Sequence, residues 1–275
     1  MTLRVMTLNC WNVSEPFDER MRLVRAGIEA LRPDAIGLQE IIVRRGSFDQ
    51  AGVILEGLGY ERVFGPAFRW NETARLLPSD HPDGDAFGNT IASRWPISRT
   101  AVHALPGAET DERRSVLAAL IETPAGTLPF FTTHLNWKPH DGPVRERQVA
   151  AVAEVVREMA REGRLPPILV GDLNAEPDST EIRFLCGLAS IDGRTIHLED
   201  AWRRGGDRGP GFTWDNRNRF AAYSAERDRR IDYILVGPPD RNGRGAIASA
   251  QVAFTEPAGD VFASDHFGVV ADVRL

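Results

Sequence analysis

Two short polar clusters in this sequence combine oxygen ligands or a histidine with strand-like apolar runs. Gly171–Asn174 directly follows the apolar run Ile168–Val170, and Ser264–His266 stands just before the β-like run Phe267–Val273. We interpret both clusters as lying at the exits of buried strands. Hydrolysis of a phosphate ester needs a cation on the phosphoryl oxygens, a base for the attacking water and donors for the growing charge. The two clusters contain residue types that supply all three, and they predict a hydrolase.

Acidic or amide side chains follow apolar runs at several positions, and each is expected at the carboxyl end of a strand, where open layered sheets bind ligands. Mg²⁺ and Mn²⁺ take oxygen ligands and keep several waters, so one or two carboxylates can suffice. A single Asp or Asn after a strand is usually an ordinary turn residue. Several together favour a metal site: Asn9, Glu40, Asp172, Asn174 and Asp265.

Two histidines lie where they could act on a phosphate. His134 ends the run Phe130–Thr133, and His266 follows Asp265. A lone histidine at a strand end is more often structural than catalytic. His266 is the stronger candidate because Asp232 lies inside an apolar run, where a buried carboxylate is costly without a partner. A histidine oriented by such a carboxylate is suited to act as a general base near neutral pH.

Six motifs occur in one order along nearly the whole chain. They are Thr7–Asn9, Leu38–Glu40, Thr133–Leu135, Gly171–Asn174, Arg230–Tyr233 and Ser264–His266. In this order they resemble the endonuclease/exonuclease/phosphatase superfamily, which includes deoxyribonuclease-type nucleases, abasic-site endonucleases, sphingomyelinases and inositol-phosphate 5-phosphatases. The resemblance implies an α/β fold, a four-layer α-β-β-α sandwich with two mixed, mostly antiparallel sheets packed face to face and the site at one edge.

The resemblance also implies roles for the matching residues. Glu40 is expected to be the main ligand of Mg²⁺ or Mn²⁺, with Asn9 and Asp265 near the same ion. His266, paired with Asp232, is expected to act as the base or as a phosphate contact.

Further site residues follow from the same resemblance. His134 is expected to be the second histidine that stabilises the phosphate. Asp172 is expected to orient the attacking water or assist the leaving group, and Asn174 to hold the phosphate. The arginine often found before the mid-chain strand is either Arg113 or Arg114, and the sequence leaves both open.

The chain departs from the family's pattern at one position. Several nucleases and sphingomyelinases of the family carry a glutamate just before the strand that ends in Ser-Arg, and Phe87 stands there in this chain. A second partner of His134 is therefore expected to be different, either Asp85 or Asn89, or to be missing. This departure weakens any transfer of a substrate from those members.

The elements that must position these residues alternate between strands and helices. Apolar stripes with flanking Pro or Gly predict helices over Phe17–Leu31, Gln50–Leu58, Pro143–Gly163 and Ser179–Cys186. Ala35–Leu38 predicts a short buried strand, and the polar stretch Asn71–Asp85 predicts a loop. Consecutive strand-like runs in mid-chain favour antiparallel pairing. They are Asn89–Ser93, Thr100–Ala104, Val116–Glu122 and Leu128–Thr133. Residues 1–275 show no linker and predict a single domain.

Charge and composition limit the substrate and the location. The net charge is −6, and no basic stripe of the kind that grips long nucleic acid is evident. We expect a phosphoester substrate that is a small molecule, a lipid head group or a short nucleic acid. Trp137 and Trp214 are candidates for substrate binding at the rim of the site, with loop packing as the alternative. Because the sequence shows no leader and no apolar run of ~20 residues, we expect a cytoplasmic protein with no membrane span and no obligate protein partner.

Three functions stay open at this point. A metal-dependent phosphodiesterase or phosphomonoesterase is favoured, and an endonuclease or exonuclease acting on nucleic acid is the alternative. The rival from another class is a non-catalytic binding module on the same fold. Such a module should have lost motif residues, whereas every main one is present.

Overall fold

The computed structural model describes residues 1–69, 85–107 and 113–275, so the predicted loop Asn71–Asp85 lies outside the described residues except for Asp85. The strands are β1 Thr2–Asn9, β2 Ala35–Arg44, β3 Phe48–Asp49, β4 Glu61–Arg69, β5 Ala86–Ser93, β6 Ile97–Ala104, β7 Ser115–Thr123, β8 Gly126–His134, β9 Ile168–Asp172, β10 Glu199–Asp200, β11 Asp232–Val236, β12 Ile247–Ala253 and β13 Gly268–Arg274. The helices are α1 Phe17–Leu31, α2 Gln50–Leu55, α3 Gly142–Ala160, α4 Thr180–Leu185, α5 Ala201–Gly205 and α6 Arg219–Ala222. No helix in these ranges is long and apolar enough to cross a bilayer.

The strands form two mixed, mostly antiparallel sheets. Sheet A has the order β12-β13-β1-β2-β5-β4, with β3 paired to β2, and sheet B has the order β10-β11-β9-β8-β7-β6. The β1–β2 and β8–β9 pairs are parallel. Because β13 runs antiparallel to β1, and β11 antiparallel to β9, the amino-terminal ends of β13 and β11 lie beside the carboxyl ends of β1 and β9.

Three apolar clusters separate four layers. Val5 of sheet A and Ile234 of sheet B belong to the cluster between the sheets. Val24 of α1 packs in a cluster on the outer side of sheet A, and Val152 of α3 packs in one on the outer side of sheet B. Fully burying one such side chain contributes about 1.5–3 kcal/mol. This arrangement confirms the predicted α-β-β-α sandwich, while the assignment of residues 1–275 to one domain stays a prediction.

The second helix is shorter than predicted. It begins after Asp49, whose side chain accepts a hydrogen bond from the backbone N–H of Gly52 at 3.0 Å and caps the first turn. The helix ends at Leu55 rather than at Leu58. Gly57, with φ at +72°, adopts the left-handed conformation that stops a helix, and the apolar spacing did not reveal this earlier stop.

The two sheets approach closely beneath the edge that carries the candidate site. A Cβ on Gly37 of β2 would come within 2.3 Å of Val170 Cγ2 and 2.9 Å of Thr132 Oγ1, both on sheet B. Beside it, Gln39 Nε2 donates to Thr132 Oγ1 at 2.8 Å, and Gln39 Oε1 accepts from Thr7 Oγ1 at 3.2 Å. This buried polar bridge fixes how the two sheets sit against each other, because a shift would leave its groups unpaired.

We expect Gly37→Ala to lower the free energy of unfolding by about 1–3 kcal/mol, because the new methyl group overpacks the space between the sheets. Urea denaturation measures the change. Gly107→Ala is the matched control, since a Cβ there meets no atom of the other described residues, apart from its chain neighbours, within 4 Å. Equal free energies of unfolding for the two variants would show that the sheets are not held this closely.

Candidate active site

Three neighbouring strands of sheet B place a histidine and two carboxylates side by side. His134 ends β8, Asp172 ends β9 and Asp232 begins β11, and the strand register pairs Asp172 with each of the other two. All three side chains are buried. Asn174 lies just beyond β9 and donates its backbone N–H to Asp172 Oδ1 at 2.9 Å. The register of sheet B alone therefore gathers four of the predicted site residues.

Sheet A contributes Asn9 and Glu40, and the position of Glu40 corrects the sequence interpretation. Asn9 ends β1 as expected. Glu40 lies inside β2 rather than at its carboxyl end, because β2 runs to Arg44 instead of stopping near Leu38. The pairing of β2 with β5 shifts register around Glu40, whose φ is 57°. Such a bulge re-aims a side chain within a strand, and it turns Glu40 into the cleft.

Asn9 joins the carboxylates of the two sheets. Its Nδ2 donates to Glu40 Oε1 at 3.2 Å and to Asp172 Oδ2 at 3.0 Å. Its Oδ1 accepts the backbone N–H of Trp11 at 3.0 Å, which fixes the orientation of the amide. Asn12, which the sequence analysis did not single out, donates to Glu40 Oε2 at 2.9 Å. The role of Asn9 as a metal ligand stays a prediction and requires its amide to turn.

Asp265 and His266 lie at the amino-terminal end of β13, not at the exit of a strand as expected. The antiparallel pairing of β13 with β1 brings this end beside Asn9, whose backbone carbonyl accepts from Ser264 Oγ at 2.6 Å. The buried Asn218 donates to the backbone carbonyls of Ser264 at 2.7 Å and Asp265 at 3.1 Å. Asn218 belongs to none of the six motifs, so no local signal marked it.

His266 lies between two carboxylates. Its Nδ1 is 2.9 Å from Asp232 Oδ2, and its Nε2 is 3.7 Å from Asp172 Oδ2. Burial favours the neutral imidazole, but the charges of Asp232, Asp172 and Asp265 outweigh it and raise the pKa of His266 to about 10. This shift favours the imidazolium form of His266 at neutral pH. Of the two roles left open by the sequence, this favours the phosphate contact over the base.

Two carboxyl groups of the site resist ionisation. Burial, together with the charge of Asp232, raises the pKa of Asp172 to about 7. Burial also raises the pKa of Asp265 to about 6, and the charge of Glu40 adds to the rise. Within the described ranges, neither Glu40 nor Asp265 forms an ion pair with a basic side chain. A divalent cation held by oxygen donors would relieve this repulsion, so these residues fit Mg²⁺ or Mn²⁺.

A second group of possible metal donors is also present. Atoms of Asp172, Asp232 and His266 lie within 4.8 Å of one another. Mg²⁺ and Mn²⁺ prefer oxygen ligands, whereas this group includes a histidine whose Nδ1 already donates to Asp232. Glu40 and Asp265 are therefore the better candidates for the cation.

The geometry shows which of the two arginines left open by the sequence lies beside His134. Arg114 is 3% exposed, and its Nη1 lies 2.8 Å from His134 Nδ1, whereas Arg113 is exposed. On its other side, His134 Nε2 lies 3.3 Å from Asp172 Oδ2. Burial, the Arg114 charge and His266 lower the pKa of His134 well below its usual value. Arg114, not Arg113, is the arginine that belongs to the site.

The residues expected to replace the missing glutamate make other contacts. Asp85 Oδ2 accepts from Arg44 Nε at 2.8 Å, and Asn89 Nδ2 donates to the Ser115 carbonyl at 3.2 Å. The ring of Phe87 lies 6.3 Å from that of His134, centroid to centroid. The contact between Arg114 and His134 was not predicted, because an acceptor was expected near the position of the glutamate, whereas the partner is a donor just before β7.

The site residues surround one cleft of about 350 Å³. Both predicted tryptophans line it: Trp137 is 49% exposed, and the ring of Trp214 stands edge-on to His266 at 5.0 Å between centroids. The cleft is also lined by residues that the sequence analysis did not place there. They are Trp11, Asn12, Phe68, Phe87, Glu226, Arg229 and Ile231.

A buried arginine shapes the loop beneath Glu40. Arg20 on α1 is fully buried, and its guanidinium donates to the carbonyls of Cys10 at 2.8 Å, Trp11 at 3.0 Å and Asn12 at 3.0 Å. These bonds fix the loop from which Asn12 reaches Glu40. Arg20 was not predicted from the sequence, because an arginine on an amphipathic helix is usually solvent-exposed.

Comparison with known proteins agrees with this arrangement. The model of the Endonuclease/Exonuclease/phosphatase family matches residues 6–266. The chain belongs to this family. The match includes all six motifs from which the resemblance was inferred, from Thr7–Asn9 to Ser264–His266, and it confirms that inference.

Individual members of the endonuclease/exonuclease/phosphatase family are similar over nearly the whole chain. The structure from Beutenbergia cavernae DSM 12333 is 28% identical with a TM-score of 0.74, covering 100% of this chain and 72% of that one. TDP2 of D. rerio, solved with a single-strand DNA product, is 18% identical with a TM-score of 0.72, covering 100% and 99%. Human Nocturnin is 24% identical over 265 residues, or 93% of this chain, and the chain spans 58% of that relative's length. Because TDP2 and this chain are only 18% identical, their structural similarity shows a shared fold and nothing further.

We expect ionised Asp172 to weaken the fold of the metal-free protein. Its pKa rises from 3.8 to about 7 on folding. The folded protein therefore binds this proton more tightly than the unfolded chain, and stability falls as the pH rises between those values. Asp172→Asn should raise the melting temperature more at pH 8 than at pH 5, measured by circular dichroism in a chelator. Asp178→Asn, on an exposed carboxylate, is the control. An Asp172→Asn shift that is the same at both pH values would contradict the buried charge.

Proposed function

We propose that this protein hydrolyses a phosphate ester by attack of water on phosphorus and depends on Mg²⁺ or Mn²⁺. One observation carries the proposal: the His266–Asp232 pair, 2.9 Å apart, stands against Asp172 in the same cleft as Glu40 and Asp265. This chemistry needs a charged imidazole, a carboxylate with a pKa near neutral pH and a pair of oxygen ligands. Their presence in one cleft supports the proposal.

Glu40 and Asp265 would hold the cation, with Asn9 joining them once its amide has turned. When bound, the cation supplies Lewis-acid stabilisation of the phosphoryl oxygens. Asn12 keeps Glu40 in place by its hydrogen bond to Oε2. The bulge in β2 is what aims Glu40 toward Asp265, so the ligand pair depends on the backbone as much as on the side chains.

The residues of sheet B and those at the start of β13 carry out the proton transfers. Asp172 orients the attacking water and accepts its proton as the new P–O bond forms. The His266 imidazolium, held by Asp232, donates a hydrogen bond to the phosphate and gives its proton to the ester oxygen as the old P–O bond breaks. Asn174 Nδ2 donates one N–H to the Leu135 carbonyl, and its second N–H can donate to the phosphate.

The cleft suits a small or short phosphoester. Arg114 supplies positive charge within a chain whose net charge is −6, and Trp137 and Trp214 offer apolar ring surface beside it. Arg229, also in the cleft, is already paired with Glu226. A nuclease is the second candidate, because an exposed ring such as Trp137 can stack on a base and the similar TDP2 of D. rerio holds a single-strand DNA product. The expected cytoplasmic location and the absence of an obligate partner stay predictions.

We expect Glu40→Gln and His266→Gln each to reduce turnover of a nitrophenyl phosphodiester by about 10²-fold or more, because each removes a charge from the reacting centre. Glu158→Gln is the control, since Glu158 is an exposed carboxylate on α3. Initial rates with saturating Mn²⁺ and circular dichroism melts of all three variants complete the test. Retained turnover in a folded Glu40→Gln or His266→Gln variant would refute this mechanism, whereas no turnover by the wild-type protein would favour the binding module.

Removing divalent cations is expected to abolish hydrolysis, since without the cation Glu40 and Asp265 only add negative charge to an anionic substrate. Protein dialysed against a chelator should be inactive on the phosphodiester and recover on titration with Mg²⁺ or Mn²⁺. The Glu40→Gln variant should need a higher cation concentration for any recovery. Full activity in excess chelator would show that the chemistry needs no exchangeable cation.

A further inference from the structure

The two histidines of the site are held by opposite kinds of partner. His266 Nδ1 meets a carboxylate, Asp232, at 2.9 Å, whereas His134 Nδ1 meets a guanidinium, that of Arg114, at 2.8 Å. A carboxylate accepts a hydrogen bond, so Nδ1 of His266 carries a proton. An arginine has five N–H donors, no acceptor, and does not lose its proton in proteins. Nδ1 of His134 must therefore accept, and it carries no proton.

The single proton of His134 then belongs to Nε2. That atom lies 3.3 Å from Asp172 Oδ2, a carboxylate oxygen that can accept from it. The Arg114 contact requires this tautomer, and the position of the Asp172 carboxylate fits it. A second proton on Nδ1 would place an N–H against the N–H of Arg114 in a buried site, where the two positive charges are costly. Both side chains are nearly inaccessible, His134 at 4% and Arg114 at 3% exposure.

The neighbouring Phe87 does not compete with the contact between Arg114 and His134. The ring of Phe87 lies 6.3 Å from the ring of His134 between centroids, and the Arg114 guanidinium stands over Phe87 at 5.9 Å from the ring centroid. An aromatic face at that position attracts the guanidinium and offers no acceptor to the imidazole N–H. Phe87 thereby helps to hold Arg114 where it reaches His134.

We propose that Arg114 is a positioning residue that fixes His134 as the neutral Nε2–H tautomer, so that His134 acts as an uncharged hydrogen-bond donor to a phosphoryl oxygen. The use of that donor rests on the proposed function, whereas the tautomer does not. The two histidines then divide the work. His266 brings positive charge, and His134 brings a directed N–H whose orientation Arg114 sets from behind.

The tautomer can be read directly from the side-chain nitrogens by ¹⁵N nuclear magnetic resonance of the metal-free wild-type protein, with His134→Gln assigning the signals. We expect a protonated Nε2 and an unprotonated Nδ1 for His134, and a protonated Nδ1 for His266. Detection of His134 as the Nδ1–H tautomer or as an imidazolium at neutral pH would overturn the proposal, whatever the activity of the protein.

Variants at Arg114 test whether that residue sets the tautomer. Arg114→Lys keeps a donor that cannot accept and should keep the Nε2–H signature, whereas Arg114→Met should give a mixture of tautomers. Arg114→Met should also lower kcat by about 10- to 100-fold, a size found for partners that orient reactive groups, with partial rescue in Arg114→Lys. Arg99→Met, on the exposed face of β6, is the control. An unchanged His134 signature in folded Arg114→Met would refute the positioning role.

The proposed function and this inference fail in different ways. If no phosphoester is turned over, the ¹⁵N spectrum still shows which tautomer His134 adopts and whether Arg114 sets it. If turnover is found and Arg114→Met shifts the tautomer without lowering kcat, the neutral donor is not used in the reaction. That result would overturn the inference while leaving the hydrolase in place.

Discussion

The buried carboxylate of Asp172 is the group on which the rest of the site depends. Burial without partners would cost several kcal/mol. Two hydrogen-bond donors reach the carboxylate, Asn9 Nδ2 at 3.0 Å and the Asn174 backbone N–H at 2.9 Å. The ring nitrogens of His134 at 3.3 Å and His266 at 3.7 Å lie close to it without forming hydrogen bonds in the described structure. These partners do not fully offset the burial, since its pKa still rises to about 7. Because the burial is only partly offset, the ionised carboxylate weakens the fold. For the same reason, Asp172 can exchange a proton near neutral pH.

This constraint also explains why the sandwich must be so closely fitted at that edge. Asn9 reaches Asp172 only because Gly37 lets the sheets approach and the Gln39 bridge to Thr132 fixes their offset. A displacement of about 1 Å would break hydrogen bonds whose tolerance is a few tenths of an ångström. The apolar cluster between the sheets stabilises the sandwich. Gly37 and the hydrogen bond between Gln39 and Thr132 fix the position of one sheet relative to the other.

The parts of the site that follow from local pattern were predictable from sequence. Asp172 directly follows a short apolar run, and Asp232 lies inside an apolar run, where a buried carboxylate needs a partner such as His266. Long-range effects were not predictable in this way. The bulge at Glu40 depends on how β2 pairs with β5, and the choice between Arg113 and Arg114 depends on which one faces His134. Neither periodicity nor residue type carries that information.

We infer that one cation binds at the edge of sheet A, against Glu40 and Asp265. Anomalous diffraction from crystals soaked in Mn²⁺, recorded near the manganese absorption edge, tests it most directly. We expect an anomalous peak in the cleft within coordination distance, about 2.0–2.4 Å, of oxygens of both carboxylates. A peak that instead lies on Asp172, Asp232 and His266, or no peak in the cleft at a Mn²⁺ concentration that supports turnover, would contradict it.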